Sequence, residues 1–297
     1  MRKLTDCENK AKEKMLTEIT GRINWRETKN FLRGGVRLGG TIHSAATMAS
    51  TQTPAKDAAR KGAAHGSVYV TDFQSSGRGR RDRGWTAAPG LDLTFSVILR
   101  QDIGASHAGL LNLAASLAVG GALEKIVSAR PFSIGIKWPN DVMANGKKIC
   151  GIICETKSAG RRIDFAVLGV GVNVNGAARD MPVFGSGDRP RATSVFIETE
   201  YKTSLPQLLG EILSNLDELA GMIESEDGRA ALIDMYRKKS CTLGKQVRVV
   251  TEEGETRGVA SGITDDGALS VTDAAGLVST FLSADVVHAH NFPSDFF

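Results

Sequence analysis

IGIKWPNDVMANGKKICGIICETKSAGRRIDFAVLGV, residues 134–170, is the stretch whose reading decides the fold. Residues 134–138 form a β-rich run that Pro139 stops, because proline cannot donate to a sheet ladder. Residues 141–144 and 148–156 flank Asn145-Gly146, a dipeptide that readily adopts the positive φ angles of a two-residue hairpin. Residues 158–160 make a second turn into a strand over 163–170. Successive hairpins require antiparallel neighbours, so the sheet is not purely parallel. That argues against a doubly wound nucleotide-binding fold, in which strand and helix alternate throughout.

Upstream, residues 67–73 (SVYVTDF) and 93–99 (LTFSVIL) read as buried strands. Between them, residues 74–90 have no periodicity and many Gly and Arg, so they read as a loop. Residues 53–61 form a helix with Pro54 tolerated in its first turn. Residues 36–50 carry a Gly-Gly pair and small polar residues. Residues 107–129 form one long helix, apolar nearly all round and therefore deeply buried. Residues 1–35 are charged and helix-favouring, with Met15, Ile19 and Ile23 about a turn apart. They read as a helical extension, shorter than the roughly 60 residues a winged-helix module needs.

Downstream, residues 204–223 form an amphipathic helix opened by a capping box, Ser204 and Gln207. A second helix covers 228–238. After residue 239 the pattern changes to short strands at 246–250, 256–263, 268–271 and 278–282. A β unit of about 50 residues is too small for a sandwich and fits a short SH3-like barrel. The fold class is therefore α+β, a mixed β-sheet flanked by helices with a small C-terminal β-barrel. The expected division is an extension (1–35), a main α+β unit (36–239) and the C-terminal unit (240–297).

The 297 residues are 41% hydrophobic and 24% charged, with a net charge of +4. Those values are ordinary for a globular protein, and the surplus is too small for a general nucleic-acid coat. Residues 108–123, the most apolar stretch, are too short and too interrupted by Asn112 and Ser116 to span a membrane. No signal peptide is read at the N-terminus, and its acidic Asp6, Glu8, Glu13 and Glu18 argue against a transit peptide. Cys7, Cys150, Cys154 and Cys241 form no disulfide framework, which suits a reducing cytosol. No metal site is expected. Cys150 and Cys154 lie on an apolar strand and read as small buried hydrophobes.

Four constellations carry chemistry. Gly77-Arg78-Gly79-Arg80-Arg81-Asp82-Arg83-Gly84-Trp85 follows a buried strand. Its glycines permit close backbone approach, and its arginines offer planar forks for phosphate or carboxylate. A solvated basic loop explains the same residues. Lys137-Trp138-Pro139-Asn140-Asp141 ends an apolar strand, where a lysine is costly unless it meets an anion; a structural turn with a snorkelling lysine is the alternative. Gly169-Val-Gly171-Val-Asn173 gives room for a flat ring, or a tight bend. Ser50-Thr51-Gln52 precedes a helix and either lines a polar pocket or caps that helix.

Singly these motifs are weak, but their order and strand contexts are specific. Ser50-Thr51-Gln52, Gln74 with Gly77-Arg78-Gly79-Arg80 and Trp85, Lys137 to Asp141, Gly151 to Glu155 and Gly169 to Asn173 together resemble the biotin–protein ligase family. The resemblance extends from about residue 36 to the C-terminus, where Gly262-Ile263 and residues 265–269 look like the family's SH3-like domain. It implies an enzyme that activates biotin with MgATP to biotinyl-5′-AMP and transfers biotin to a lysine of a biotin carboxyl carrier domain. It implies catalytic roles for Lys137, Arg78 and Arg80. Biotin would be met by Ser50, Thr51, Gln52, Gln74, Gly77, Arg78, Gly79, Arg80, Lys137 and Gly151. The adenylate would be met by Arg78, Arg80, Trp85, Lys137, Asn140 and Asn173. Many bacterial members have Asn where Gln52 stands. Residues 1–35 do not resemble the DNA-binding module of repressor-type members, so no operator binding is expected; members are often homodimers. The competing readings are a lipoate or octanoate ligase of the same superfamily and a biotin-responsive regulator without ligase activity.

Overall fold

The computed structural model describes residues 23–81, 83–128, 130–182 and 191–288. The expected helix around Met15 and Ile19 lies outside these residues. Residues 25–31, at the end of the expected extension, form a 3-10 helix, Trp25–Phe31.

The main sheet is built from β1 (Ile42–Met48), β2 (Val68–Gln74), β5 (Leu93–Leu99), β6 (Ile134–Lys137), β7 (Asp141–Ala144), β8 (Lys147–Ala159) and β9 (Arg162–Val172). Their spatial order is β1-β2-β5-β9-β8-β7-β6. Only β1 and β2 run parallel; the other neighbours are antiparallel. The sheet is thus mixed, as the hairpins demand. Asn145 and Gly146 turn β7 into β8 with φ of 48° and 76°, the positive pair that this turn type requires. The second turn falls at residues 160–161, just beyond its expected place, with Gly160 at φ 63°.

β1 is the strand that residues 36–50 do not announce. It is an edge strand with an exposure pattern that never reaches fully buried, so it needs none of the apolar run that marks a core strand. The loop at 74–90 also contains a short ladder, β3 (Gly77–Arg78) with β4 (Gly84–Trp85).

Residues of β5 and β9 alternate between two layers. Ile98, Phe165 and Val167 pack under α1 (Gln52–Arg60), while Val97, Leu99, Ala166 and Leu168 join the main core. That core holds α2 (Leu110–Ile126), buried on nearly every side. The expected helix from 107 is shorter because Ala105–His107 forms a separate 3-10 turn. The break falls at Gly109, where a Cβ would sit 2.9 Å from the Asp266 carbonyl oxygen. Ala105–Ile126 is the one stretch among the described residues long and apolar enough to cross a membrane, and most of it is buried inside the fold.

A short helix α3 (Val195–Thr199) precedes α4 (Leu205–Gly221) and α5 (Glu226–Lys239), and both of these longer helices pack on α2. Ser204 caps α4 by accepting from the Gln207 amide. The remaining strands, β10 (Gln246–Val250), β11 (Glu255–Ile263), β12 (Leu269–Thr272), β13 (Val278–Phe281) and β14 (Asp285–His288), form one antiparallel sheet, ordered β13-β12-β11-β10-β14. β14 is too short an apolar run to stand out in the sequence, yet it closes the free edge of β10.

Trp138 pins the two sheets together. Its Nε1 donates to the Gly267 carbonyl at 3.1 Å and its amide donates to Thr242 Oγ1 at 3.0 Å. It is 2% exposed. The next peptide bond, to Pro139, is cis.

Candidate active site

A cavity of about 740 Å³ opens between the carboxyl end of β6, strands β8 and β9, the loop from β2 to β5, and the C-terminal sheet. Of the residues singled out in the sequence, Ser50, Thr51, Gln52, Gln74, Arg78, Gly79, Arg80, Trp85, Lys137, Asn140, Gly151 and Asn173 all line it. Gly77 does not. It pairs with Trp85 in the β3–β4 ladder, and a Cβ there would sit 2.4 Å from the Trp85 carbonyl oxygen. Its place is to let the loop fold back tightly.

Lys137 ends β6, 7% exposed. Asp141 faces it across the β6–β7 hairpin, yet that carboxylate pairs with Lys148 at 2.6 Å. Among the described residues Lys137 itself has no hydrogen bond or ion pair. Burial pushes its pKa down, with Lys148 adding to the effect and Asp141 opposing it. A buried ammonium without a counter-ion is costly unless an anion arrives. The snorkelling alternative does not hold, because the side chain stays inside. Lys148, which the sequence reading passed over, lines the same cavity. Its signal was its place two residues past a hairpin turn, just before the buried pair Ile149 and Cys150.

Arg78 is exposed and unpaired among the described residues, with its field acting on Glu155. The other arginines of the loop are engaged. Arg80 donates to Asn140 Oδ1 at 3.2 Å, to the Ala284 carbonyl at 3.3 Å and to Ser283 Oγ at 2.5 Å. Burial pushes its pKa down. Arg81 reaches Asp285 at 3.1 Å, and Arg83 pairs with the same carboxylate. The loop therefore has structure before any ligand arrives: it is latched onto the C-terminal sheet. The latch is electrostatic and about 200 positions distant in the chain, so nothing local announces it.

Asn140 holds both ends of this arrangement, donating to the Ile152 carbonyl at 2.6 Å while accepting from Arg80. Asn173, 3% exposed, donates to the Thr193 carbonyl at 2.9 Å.

Of the two glycines read as room for a flat ring, Gly171 does seat one, together with its cross-strand partner Gly151, and the ring is the protein's own. Cβ atoms on Gly151 and Gly171 would lie 3.0 Å and 2.3 Å from the Trp85 indole. Trp85 lies on this glycine shelf with Nε1 buried and unpartnered. Gly169 seats a second side chain, because its Cβ would lie 2.6 Å from Gln52 Oε1. Thr51 occupies the cap position of α1 but makes no side-chain cap bond. Its backbone amide donates to Gln74 Oε1 at 2.8 Å, and its hydroxyl bonds Ser96 Oγ at 2.8 Å. Ser50 Oγ accepts from the Gln52 amide at 3.2 Å at the start of this helix, so the trio both holds the helix start and lines the cavity.

Cys150 is buried and Cys154 partly so, both free. Burial pushes both thiols up, Cys154 to about 12, so neither is a thiolate near neutral pH. No group of three His, Cys, Asp or Glu able to hold a metal occurs among the described residues.

Residues 44–173 match the Biotin/lipoate A/B protein ligase family, and residues 242–289 match the Biotin protein ligase C terminal domain. A biotin--[acetyl-CoA-carboxylase] ligase of Mycobacterium tuberculosis is 34% identical over 225 residues, covering 75% of this chain and 79% of that one. A protein of the same name from Paracoccus denitrificans is 31% identical, covering 71% of this chain and 86% of its own length. The structure of the Aquifex aeolicus biotin protein ligase in complex with biotin and ATP superposes with a TM-score of 0.69. It is 26% identical and covers 84% of this chain and all of that one.

Proposed function

Because this chain belongs to the biotin protein ligase family, we propose that it activates biotin with MgATP and transfers it to a lysine of a biotin carboxyl carrier domain. In the first step a biotin carboxylate oxygen attacks the α-phosphorus of ATP. The bond to the β-phosphate bridge breaks, and pyrophosphate leaves. In the second step the carrier amine attacks the acyl carbon of biotinyl-5′-AMP. The amide forms, AMP leaves and the amine gives up a proton.

The observation that carries this reading is Lys137, an ammonium buried in the cavity wall with its neighbouring carboxylate already taken by Lys148. A carboxylate approaching a phosphate repels it, so the reaction needs cations placed beforehand. Lys137 and Lys148 supply point charges for the carboxylate and the α-phosphate. Arg78 supplies an unpaired planar fork. Arg80, tied to Ser283 and Ala284, keeps the loop over the intermediate and excludes water. Ser50, Thr51, Gln52 and Gln74 give the polar side of the biotin site, and Gly151 lies on its floor. Trp85, Asn140 and Asn173 border the adenylate. Magnesium enters with the nucleotide as part of the substrate.

The chain divides functionally at about residue 240, with the C-terminal sheet acting as the anchor of the loop. No operator binding is part of this reading, and a gel shift over a salt series tests that. The free thiols suit a reducing compartment, and we place the protein in the cytoplasm.

The test is pyrophosphate release with biotin and MgATP, then addition of a carrier domain. Release with biotin and not lipoate, lost in Lys137→Ala, followed by a biotinylated carrier lysine, is the expected result. Biotin binding without pyrophosphate release would make the protein a regulator and overturn the roles of Lys137, Arg78 and Arg80.

A further inference from the structure

A continuous chain of hydrogen bonds runs behind the cavity. Lys56 Nζ pairs with Glu155 Oε1 at 2.6 Å. Glu155 Oε2 accepts from Gln52 Nε2 at 2.9 Å, and the same nitrogen donates to the Val167 carbonyl at 3.0 Å. Gln52 Oε1 accepts from Ser96 Oγ at 2.9 Å. Ser96 Oγ meets Thr51 Oγ1 at 2.8 Å, and the Thr51 amide donates to Gln74 Oε1 at 2.8 Å. Gln52, Ser96 and Thr51 are 4%, 0% and 4% exposed, so little water is at hand to rearrange these bonds.

The direction of this chain is determined at its far end. A carboxylate and a carbonyl can only accept, so both hydrogens of the Gln52 amide must point at Glu155 and Val167. Its carbonyl oxygen must then face Ser96. Ser96 spends its hydrogen on that oxygen and must accept from Thr51. The Thr51 hydroxyl has one hydrogen, and the shorter contact with Ser96 takes it in preference to Gln74 Oε1 at 3.3 Å, so Thr51 has only lone pairs left for a ligand. Gln74 is oriented independently. Its oxygen is held by the Thr51 amide, so its NH₂ is left as a donor. A cavity wall with acceptors beside one donor matches a cyclic urea, in which N–H donors flank a carbonyl acceptor.

We propose that Glu155, outside the substrate cavity, is the positioning residue that sets the hydrogen-bond polarity by which this site selects a urea-bearing ring. The inference rests on biotin as the substrate. Burial raises the Glu155 pKa, but the hydrogen bonds from Lys56 and Gln52 outweigh it and hold the carboxyl below its ordinary range. It stays ionised, acceptor-only, across the working pH range. In Glu155→Gln an amide of the same shape can donate as well as accept, so the Val167 carbonyl alone is left to hold Gln52, and a fraction of the molecules can turn that amide over and run the chain backwards.

The test compares biotin with an analogue whose urea is a cyclic carbamate, one N–H replaced by a ring oxygen. The readout is pyrophosphate release by the full chain. The unmutated protein should prefer biotin strongly, because the ring oxygen would meet lone pairs. Glu155→Gln should raise the biotin KM about tenfold, change kcat less than twofold, and cut the biotin-over-carbamate preference in kcat/KM at least fivefold. Lys56→Gln leaves the carboxylate in place and should stay within threefold on KM. Ser96→Ala interrupts the chain and should lose the same preference, which covers the case that Glu155→Gln does not fold. Equal losses on both substrates, an unchanged preference in Ser96→Ala, or a full effect in Lys56→Gln would overturn the inference. Failure of the unmutated protein to use biotin at all would overturn the function, and the inference with it, in a distinguishable way.

Discussion

Replacing Arg80 by Ala should turn an enzyme that keeps its acyl-adenylate into one that leaks it. The Arg80 guanidinium makes three hydrogen bonds, two of them to the C-terminal sheet at Ser283 and Ala284 and one to Asn140. Bonds from a charged donor contribute about 1.5–3 kcal/mol each when well formed, but two of these are longer than 3.1 Å and all three acceptors are neutral, so about 1 kcal/mol each is the better figure. Losing all three weakens the closed loop by about 3 kcal/mol, or roughly 100-fold in the opening equilibrium. Arg81 and Arg83 still hold Asp285, and the β3–β4 ladder is untouched, so the loop keeps its path. Lys137, Lys148 and Arg78 remain for the first step. The variant should therefore still form biotinyl-5′-AMP, at most about tenfold more slowly if a single charge contact in the transition state is weakened. It should release it about 100-fold faster. The assay is a single turnover with labelled biotin, quenched after rapid gel filtration, with a bystander protein in the effluent to capture free adenylate on its lysines. Retention equal to that of the unmutated protein, with no bystander labelling, would refute the latch.

The remaining expectations concern charge, shape and pH. Lys137 must be charged to hold its anions, and burial lowers its pKa. Initial rates should therefore fall with rising pH before the ordinary lysine range. Lys148→Gln removes a lowering influence and frees Asp141, so it should move that alkaline limb upward; a limb that stays put would exclude Lys137 as its source. In Gly171→Ala the new Cβ would lie 2.3 Å from Trp85 Cε2. The indole should leave its shelf, seen as a red-shifted, more quenchable tryptophan emission; an unchanged spectrum would remove Trp85 from that position. Asp92 is 2% exposed, and burial raises its pKa from 3.8 to about 6 despite amide bonds from Ala88 and Val174. A raised acid pKa means the native state binds the extra proton. The stability it contributes is full below pH 3.8 and is lost as pH rises through 6, about 3 kcal/mol in all. Asp92→Asn should flatten that part of the denaturation-against-pH curve relative to the unmutated chain, and parallel curves would contradict the assignment.

Local chemistry in the sequence determined the elements that depend on near neighbours. The strand at 93–99 and the strand at 246–250 stand where their β-rich runs lie. The Asn145-Gly146 hairpin follows from positive φ, and the start of α4 from the Ser204 hydroxyl. The cluster of motifs from Ser50 to Asn173 was legible through its order along the chain and its resemblance to the biotin–protein ligase family, each motif being weak by itself. The tertiary structure decided what depends on distant partners. The edge strand β1 exists by pairing with β2, and β14 by pairing with β10. The basic loop is ordered by Ser283 and Asp285, and the glycine shelf is filled by Trp85. Among the described residues Lys137 is left without an ion pair because Lys148 takes Asp141. The direction of the Gln52 amide is determined by Glu155 and the Val167 carbonyl, both more than a hundred positions away. Turns, caps and alternation are short-range torsional and burial preferences, written in a few consecutive residues. Which donor meets which acceptor across the fold depends on three-dimensional placement, and many pairings are compatible with the same local pattern.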